Sequence, residues 1–397
     1  EYDYQIAKLK KADIKNMHSR ILNLIDQILK TPNINIHNLD IVTLEEKNQI
    51  LNIFNNHSSN LSKSIDIIEK FKICVKQNPD KIALVFKDKN ITYQQLDTMS
   101  DNLAIYLKNM NIENEENIAI FLDKSIEMVV SILAILKVHG SYLPIDTSYP
   151  TDRIEYILND ANVKKIITTS NLAIDCFKNI TSIYINDLDL LQNNKFEYIK
   201  NSNSSVAYVM YTSGSTGKPK GVIIEQKSIL RLIINPNFIE FSPDERILQT
   251  GSIVFDACTF EIWGALLNGF SLYILEKEKL LDAVFLANYL SENKITILWL
   301  TTALFNQLCD INVTMFKNVK YLLTGGDVLS IKHINKVIKN NPNLKVINGY
   351  GPTENTTFTC CFNINKRYLS RIPIGYPISG TTCYIVSKFG NLQPIGI

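Results

Sequence analysis

The chain is 397 residues long, 46% hydrophobic and 20% charged, with a net charge of +2. That length exceeds a single typical core and predicts two or three packed units. The near-neutral charge excludes nucleic acid or an anionic membrane as the main partner, and the longest apolar run, "MVVSILAILKV", is too short to cross a bilayer. The opening "EYDYQIAKLKK" lacks the apolar stretch of a secretion signal. Seven cysteines without CxxC spacing and five scattered histidines read as reduced thiols and ordinary imidazoles rather than metal ligands. The expected location is the cytoplasm.

In chain order, residues 5–30 carry Ile14, Met17, Ile21, Leu22, Ile25, Ile28 and Leu29 at helical spacing, which predicts one amphipathic helix. Residues 34–62 are rich in Asn, Ser and Thr and read as a linker. It holds a short helix capped by Thr43, with Glu46 three residues on as the reciprocal partner. From about residue 63 strand and helix alternate. "KIALVF", "NIAIFL" and "KKIITTS" are strands; "YQQLDTMSDNLAIYLKNM", "SIEMVVSILAILKVHG" and "DRIEYILNDA" are helices. A second series runs from "SVAYVMYT" to "KVINGYG". This alternation predicts an α/β fold of two doubly wound units with parallel sheets, over 63–200 and 201–345. Residues 346–397 carry strand and turn signals and are expected to begin a small barrel-like β unit, incomplete at the end of the chain.

The second series contains "YTSGSTGKPKG", Tyr211–Gly221. Glycines let backbone N–H groups approach a phosphate, Ser and Thr hydroxyls add donors, and Lys218 and Lys220 add compact positive charge. This is not a Walker A loop, because Pro219 follows Lys218 and the strand "GVII" follows the loop. A solvated Gly/Ser linker is the plain alternative. The apolar strands on both sides argue against it.

"YVMYTSGSTGKPKGV" resembles the phosphate-loop signature of the adenylate-forming superfamily, which comprises acyl-CoA synthetases, luciferases and the adenylation domains of nonribosomal peptide synthetases. "ITYQQLDTMSDNLA", "LKVHGSYLPID", "FDACTFEIWGALLNG" and "NGYGPTEN" resemble its other blocks, in order, from about residue 63 onward. Gln226 departs from the pattern, where many relatives carry His. Residues 34–62 are similar to the linker between a condensation domain and an adenylation domain. Residues 1–33 resemble the helical tail of such an upstream condensation domain in cis.

The resemblance implies a reaction in which a carboxylate and ATP, with Mg²⁺, give an acyl-adenylate and pyrophosphate. The acyl group then passes to a phosphopantetheine thiol on a peptidyl carrier protein. It assigns Thr212, Ser213, Gly214, Ser215, Thr216, Gly217 and Lys220 to the β- and γ-phosphates, with Thr216 and Lys220 among the catalytic groups. Tyr350 would stack on adenine, Asn348 would face the base edge, and Gly325 and Gly326 would leave room beside it. Thr353 would touch the α-phosphate, Gly351 would also belong to the nucleotide site, and Glu354 would hold the metal and act in catalysis. Asp256, which alone reads equally as a helix N-cap, would pair with the α-ammonium of an amino acid. The rest of the pocket would be Ala257, Phe260, Trp299, Leu323, Gly325, Gly349, Thr357 and Phe358, with no other charge.

The three aromatics would fill volume and the glycines would leave some, which suits a small branched aliphatic side chain. Valine is the first expectation, isoleucine or leucine the next. Family members carry beyond this point an Asp block for the ribose and a mobile small domain with a catalytic lysine, so the chain alone is expected to be weak or inactive. Two other readings stand beside this one. An acyl-CoA-synthetase-like acid ligase has no ammonium for Asp256 to bind. A non-catalytic docking core has no need of an intact phosphate loop.

Overall fold

The computed structural model describes residues 2–5, 9–56, 65–192, 194–213 and 217–396. Gly214, Ser215 and Thr216 of the expected phosphate loop therefore lie outside the described residues, as do Ile6, Ala7 and Lys8 of the expected first helix and positions 57–62 of the expected linker. The chain divides into two compact units, one of 1–58 with 380–397 and one of 59–379.

In the smaller unit, helix α1 (Lys11–Lys30) precedes a short helix α2 (Leu44–Asn48). The Thr43 hydroxyl accepts from the Glu46 N–H at 3.2 Å, and the Thr43 N–H donates back to Glu46 Oε2 at 3.3 Å, the reciprocal cap expected from the spacing. Glu46 is also gripped by Arg20 from α1, with Nη2 2.5 Å from Oε1 and Nε 3.1 Å from Oε2. Burial pushes the Glu46 carboxyl up, but the Arg20 bonds outweigh it and hold the group below the usual range. Arg20 Nη2 also donates to the Ile395 carbonyl at 2.7 Å, and Asn55 exchanges two bonds with the backbone of Cys383. These side chains bind the two stretches of chain into one unit.

The larger unit holds two sheets. In chain order its strands are β1 (Ile82–Phe86), β2 (Lys89–Thr92), β3 (Asn117–Ile120), β4 (Ser141–Pro144), β5 (Lys165–Thr168), β6 (Thr181–Tyr184), β7 (Val206–Ser213) and β8 (Pro219–Glu225). They continue with β9 (Arg246–Gln249), β10 (Ser271–Ile274), β11 (Ile297–Thr301), β12 (Tyr321–Gly325), β13 (Lys345–Tyr350), β14 (Cys360–Ile364) and β15 (Tyr376–Pro377). The six-stranded sheet has the order β6-β5-β3-β4-β7-β8, parallel except for β8. The nine-stranded sheet has the order β15-β14-β13-β12-β11-β9-β10-β1-β2, with a parallel centre and antiparallel edges. The central strands are buried on both faces, which is why they read as unbroken apolar runs.

The two parallel sheets covered by helices are as the alternation predicts; their division of the chain is not. The expected boundary at 200/201 separates neither sheet. β1 pairs with β10 and carries β2 at the edge of the nine-stranded sheet, and β7 pairs with β4 and carries β8 at the edge of the six-stranded one. The residues expected to open a separate β unit partly extend the nine-stranded sheet as β14 and β15, and 380–397 belongs with the smaller unit.

Helices α3 (Ile67–Gln77), α4 (Tyr93–Asn109), α5 (Ile126–Lys137), α6 (Thr151–Asp160), α7 (Gln226–Ile233) and α8 (Ala257–Leu266) cover these sheets. Lys137 on α5 is fully enclosed and reaches α4, with Nζ 2.7 Å from Asp97, 2.6 Å from Asp101 and 2.8 Å from the Ser100 hydroxyl. Every residue of α8 is buried, as an all-round apolar helix requires. It also bonds to the six-stranded sheet through Trp263 Nε1 to the Tyr142 hydroxyl (3.3 Å) and Thr259 to the Tyr208 hydroxyl (2.9 Å). One apolar cluster consequently contains Ile118 and Tyr208 of one sheet and Ile247 and Trp299 of the other. Gln226, the departure noted above, is buried at the start of α7 and accepts the Ile67 N–H at 3.1 Å, capping α3. Among the described residues no helix is long and apolar enough to cross a membrane.

Candidate active site

The expected phosphate loop joins β7 to β8 in an antiparallel hairpin, with Thr212 opposite Lys220 and Ser213 opposite Pro219. The segment is therefore flanked by two strands rather than by a strand and a helix. Gly217 has φ +83°, a conformation that favours glycine, and Lys220 is exposed. Helix α6 fixes the root of the hairpin. Tyr211 donates its hydroxyl to Asp160 Oδ2 at 2.6 Å, and Tyr156 donates to the Pro219 carbonyl at 3.2 Å. Burial and the Asp160 bond both push the Tyr211 phenol well above its usual range, so it stays a donor.

The second element is the end of β13 and the turn after it. Tyr350 is half exposed, consistent with an open aromatic face. Asn348 is buried and donates through Nδ2 to the Pro373 carbonyl at 2.8 Å, so part of its amide is already engaged. Gly351 admits no side chain: a Cβ there would lie 2.4 Å from the Thr357 carbonyl oxygen. Thr353 and Glu354 sit in the short turn Thr353–Asn355 beside β8, with Glu354 exposed. Among the described residues no group of three or more His, Cys, Asp or Glu could hold a metal ion. A lone exposed carboxylate fits Mg²⁺, which commonly takes one or two carboxylates and completes its shell with substrate phosphates and water.

After this turn the backbone is strained. Thr356 has φ +53° and Thr357 φ +64°, a region that β-branched residues rarely enter. The turn returns through Thr359, whose N–H donates to the Tyr350 carbonyl at 2.8 Å. Arg231 of α7 donates through Nη2 to the carbonyls of Asn355 (2.7 Å), Thr356 (3.3 Å) and Phe358 (3.3 Å).

Asp256 stands at the head of α8. Its side chain makes no cap to the helix, so the N-cap alternative is set aside. Burial raises its carboxyl above the usual range; a bond from Thr353 and the N–H groups of Thr357 and Ala257 offset this in part. No ion pair involves Asp256 among the described residues. The Thr357 hydroxyl donates to the Asp256 carbonyl at 2.6 Å, so the strained turn and α8 meet at this residue.

The expected pocket residues come together behind it. Phe358 contacts Phe260 (ring centroids 5.6 Å apart) and Trp299 (5.5 Å). Leu323 is buried between Trp299 and Ile347 on neighbouring strands, and Ala257 is buried on the first turn of α8. The two glycines differ from expectation. A Cβ on Gly325 would lie 1.9 Å from the Gly349 carbonyl oxygen, and one on Gly349 2.5 Å from Phe358 Cε1. Their vacancy is taken up by the close approach of β12 to β13 and by the Phe358 ring, and is not left to a ligand. Gly326, at φ +83°, has open space around it.

Three features were not singled out from the sequence. Phe238 packs on both Phe260 (6.1 Å) and Phe358 (5.7 Å), making the aromatic group a quartet with Trp299. Glu261, fully buried on α8, accepts from the N–H groups of Thr250 and Gly251 and faces Lys124, which donates to the Gln249 and Thr250 carbonyls. Arg231 is the third; its signal was a single cation inside the apolar run "ILRLII". A groove of about 480 Å³ lined by Glu240, Tyr321 and Asn363 lies at the amino ends of β12 and β13. Ligands of open α/β sheets bind outside the carboxyl ends, where the residues above converge.

Comparison with known proteins agrees with this geometry. Residues 71–396 match the family described as AMP-binding enzyme. The chain is 40% identical over 385 residues to gramicidin S synthase 2 of Aneurinibacillus migulanus, covering 97% of this chain and 9% of that protein. It is 37% identical to surfactin synthase subunit 2 of Bacillus subtilis (strain 168), covering 99% of this chain and 11% of that one. Among solved structures it is similar to holo-PA1221, an NRPS protein containing adenylation and PCP domains bound to a vinylsulfonamide inhibitor. The identity is 30% and the TM-score 0.78, over 84% of this chain and 58% of that chain. It is also similar to the Klebsiella oxytoca NpsA N-terminal subdomain in complex with 3-hydroxybenzoyl-AMSN, at 25% identity and TM-score 0.78, over 85% and 86%. The chain spans only about a tenth of the length of these curated relatives.

Proposed function

The chain belongs to the AMP-binding enzymes, as an adenylation core of the nonribosomal-peptide-synthetase kind, and from that premise we propose that it activates an amino acid as its aminoacyl-adenylate. The observation that carries this reading is Asp256. A carboxylate raised by burial and facing no cation among the described residues is costly, and a substrate α-ammonium would offset that cost. An acid lacking an ammonium would leave it in place.

The substrate carboxylate oxygen would bond to the α-phosphorus of ATP while the bond from that phosphorus to the β-bridging oxygen breaks, releasing pyrophosphate. Both reactants are anions, so positioning and charge neutralisation govern the rate. Asp256 would hold the ammonium, and Thr353, bonded to Asp256, would lie between ammonium and α-phosphate. Thr212, Ser213, Gly217 and Lys220 would take the outer phosphates, together with Gly214, Ser215 and Thr216. Tyr350 and Asn348 would receive the adenine, with Gly326 giving it room. Glu354 would hold Mg²⁺, which supplies charge neutralisation at the phosphates. The acyl group would then pass to the phosphopantetheine thiol of a peptidyl carrier protein, with AMP as leaving group.

For the side chain, the uncharged wall of Ala257, Phe260, Trp299, Leu323 and Phe358 favours a small branched aliphatic residue, valine first and isoleucine or leucine next. One methylene is worth only ~1–3 kcal/mol in such a pocket, so these would be ranked rather than strictly separated. The test is amino-acid-dependent ATP–pyrophosphate exchange by the full-length protein with a panel of amino acids. Valine should exceed phenylalanine, with lysine and glutamate inert. Preference for a charged or aromatic amino acid would overturn the pocket assignment, and exchange driven by acids without an ammonium would overturn the amino-acid reading itself.

A further inference from the structure

We propose that Arg231 is a positioning residue for this site: its guanidinium holds the strained turn after β13 in the one conformation that presents Thr353, Thr357 and Phe358 together. The inference rests on the reading of that turn as the wall between nucleotide and amino acid. Three backbone carbonyls, of Asn355, Thr356 and Phe358, converge on one guanidinium nitrogen at 2.7, 3.3 and 3.3 Å. Converging carbonyl dipoles repel one another, and two successive threonines at positive φ add steric cost. The turn's own bonds, from the Thr359 N–H to the Tyr350 carbonyl and from Asn355 Nδ2 to the Thr359 hydroxyl, relieve neither cost; a cation at the focus of the carbonyls offsets both. A planar, permanently charged fork suits that focus better than a point charge.

The position of Arg231 in the chain gives the contact its meaning. It lies on α7, which begins immediately after β8, the second strand of the phosphate hairpin. The turn it holds carries Thr353 and Glu354 on one side and Thr357 and Phe358 on the other. Thr357 is bonded to Asp256 and Phe358 packs on Trp299 and Phe260. One side chain thus ties the strand that returns from the phosphate loop to the wall of the amino-acid pocket.

Arg231→Ala, Arg231→Lys, Thr356→Gly and the double variant Arg231→Ala/Thr356→Gly, made in the full-length protein, test this. Amide hydrogen exchange over Tyr350–Cys361 reads the turn directly. Its protection, including the N–H groups of Phe358 and Thr359, should fall in Arg231→Ala and less in Arg231→Lys. Losing hydrogen bonds to a charged group should raise KM for the amino acid by about tenfold to a hundredfold, with KM for ATP changed by less than about threefold. Glycine accepts positive φ at no steric cost, so Thr356→Gly should restore much of the amino-acid KM to Arg231→Ala. A merely destabilising loss of packing would lower the melting temperature without that split or that rescue. Unchanged amide exchange in Arg231→Ala overturns the clamp. Faster exchange with an unchanged amino-acid KM overturns its positioning role. Absence of any amino-acid-dependent exchange in the wild type would count against the amino-acid reading alone, because the hydrogen-exchange arm still decides the clamp.

Discussion

At the scale of single residues the site depends on groups that are expensive where they stand. Asp256 is the clearest. Asp256→Ala should abolish amino-acid-dependent exchange and leave nucleotide binding nearly intact; wild-type exchange rates would remove it as the anchor. Because burial raises its carboxyl, amino-acid affinity should weaken as pH falls into the carboxylate range and Asp256 takes a proton. Asp256→Asn should lose that dependence. Gly349 illustrates a cost of another sort. Gly349→Ala would drive a methyl into the Phe358 ring, and overpacking of this sort costs about 1–3 kcal/mol. The expected result is a lower melting temperature together with altered ranking of aliphatic substrates. Asp256 was singled out in the sequence through its place in the block "FDACTFEIWGALLNG", since by itself it read equally as a helix N-cap. The strain at Thr356 and Thr357 was not, since positive φ at threonine contradicts local preference and is imposed by partners 125 and 101 residues away in the chain.

Among secondary-structure elements, two buried ionic groups connect neighbours that apolar packing alone would leave free to slide. Lys137 joins α5 to α4 through Asp97 and Asp101. Lys137→Met would leave two carboxylates without their enclosed cation, a change that costs roughly 3–5 kcal/mol; denaturant unfolding should show it. Glu261 on α8 behaves differently. Burial pushes its carboxyl up to about 7 from an ordinary 4.5, against the pull of Lys124 and the Thr250 N–H. The native state therefore holds this proton more tightly than the unfolded chain does. The contribution is fully present below about pH 4.5 and declines as pH rises through about 7. Glu261→Gln should flatten the stability profile in that window, and an unaltered slope would refute the assignment. Helices and strands were readable from periodicity, as the α4 and β7–β8 segments show. Neither buried pair was, because Lys124, Lys137 and Glu261 look like solvated charges until the partner element is in place.

At the scale of the whole larger unit, the sheets were foreseeable and their membership was not. A run such as "KIALVF" announces a buried strand, but nothing in it names its neighbour. Because one apolar cluster serves both sheets, and α8 packs on β9 and β10 of one while bonding to β4 and β7 of the other, this unit should unfold as one body. Trp263→Ala, at about 3–5 kcal/mol, should raise hydrogen exchange in β4 and β9 alike; a response confined to one sheet would show that they are energetically separate. The membership also has a bearing on how the protein is made. Leu84 of β1 pairs with Leu272 of β10, so β1, once it leaves the ribosome, waits for a partner roughly 190 residues behind it. At about 5–20 residues per second that is on the order of ten to forty seconds of translation. During that interval β1 and β2 form a hairpin with an apolar, unpaired edge, while the six-stranded sheet can close beside it. Nascent chains stalled before Ser271 should be cut readily by protease near β1, and chains stalled well after Ile274 should resist. Synthesis of this protein thus has a built-in period of vulnerability, and slow codons would lengthen it if placed between β8 and β10 and do little if placed after them.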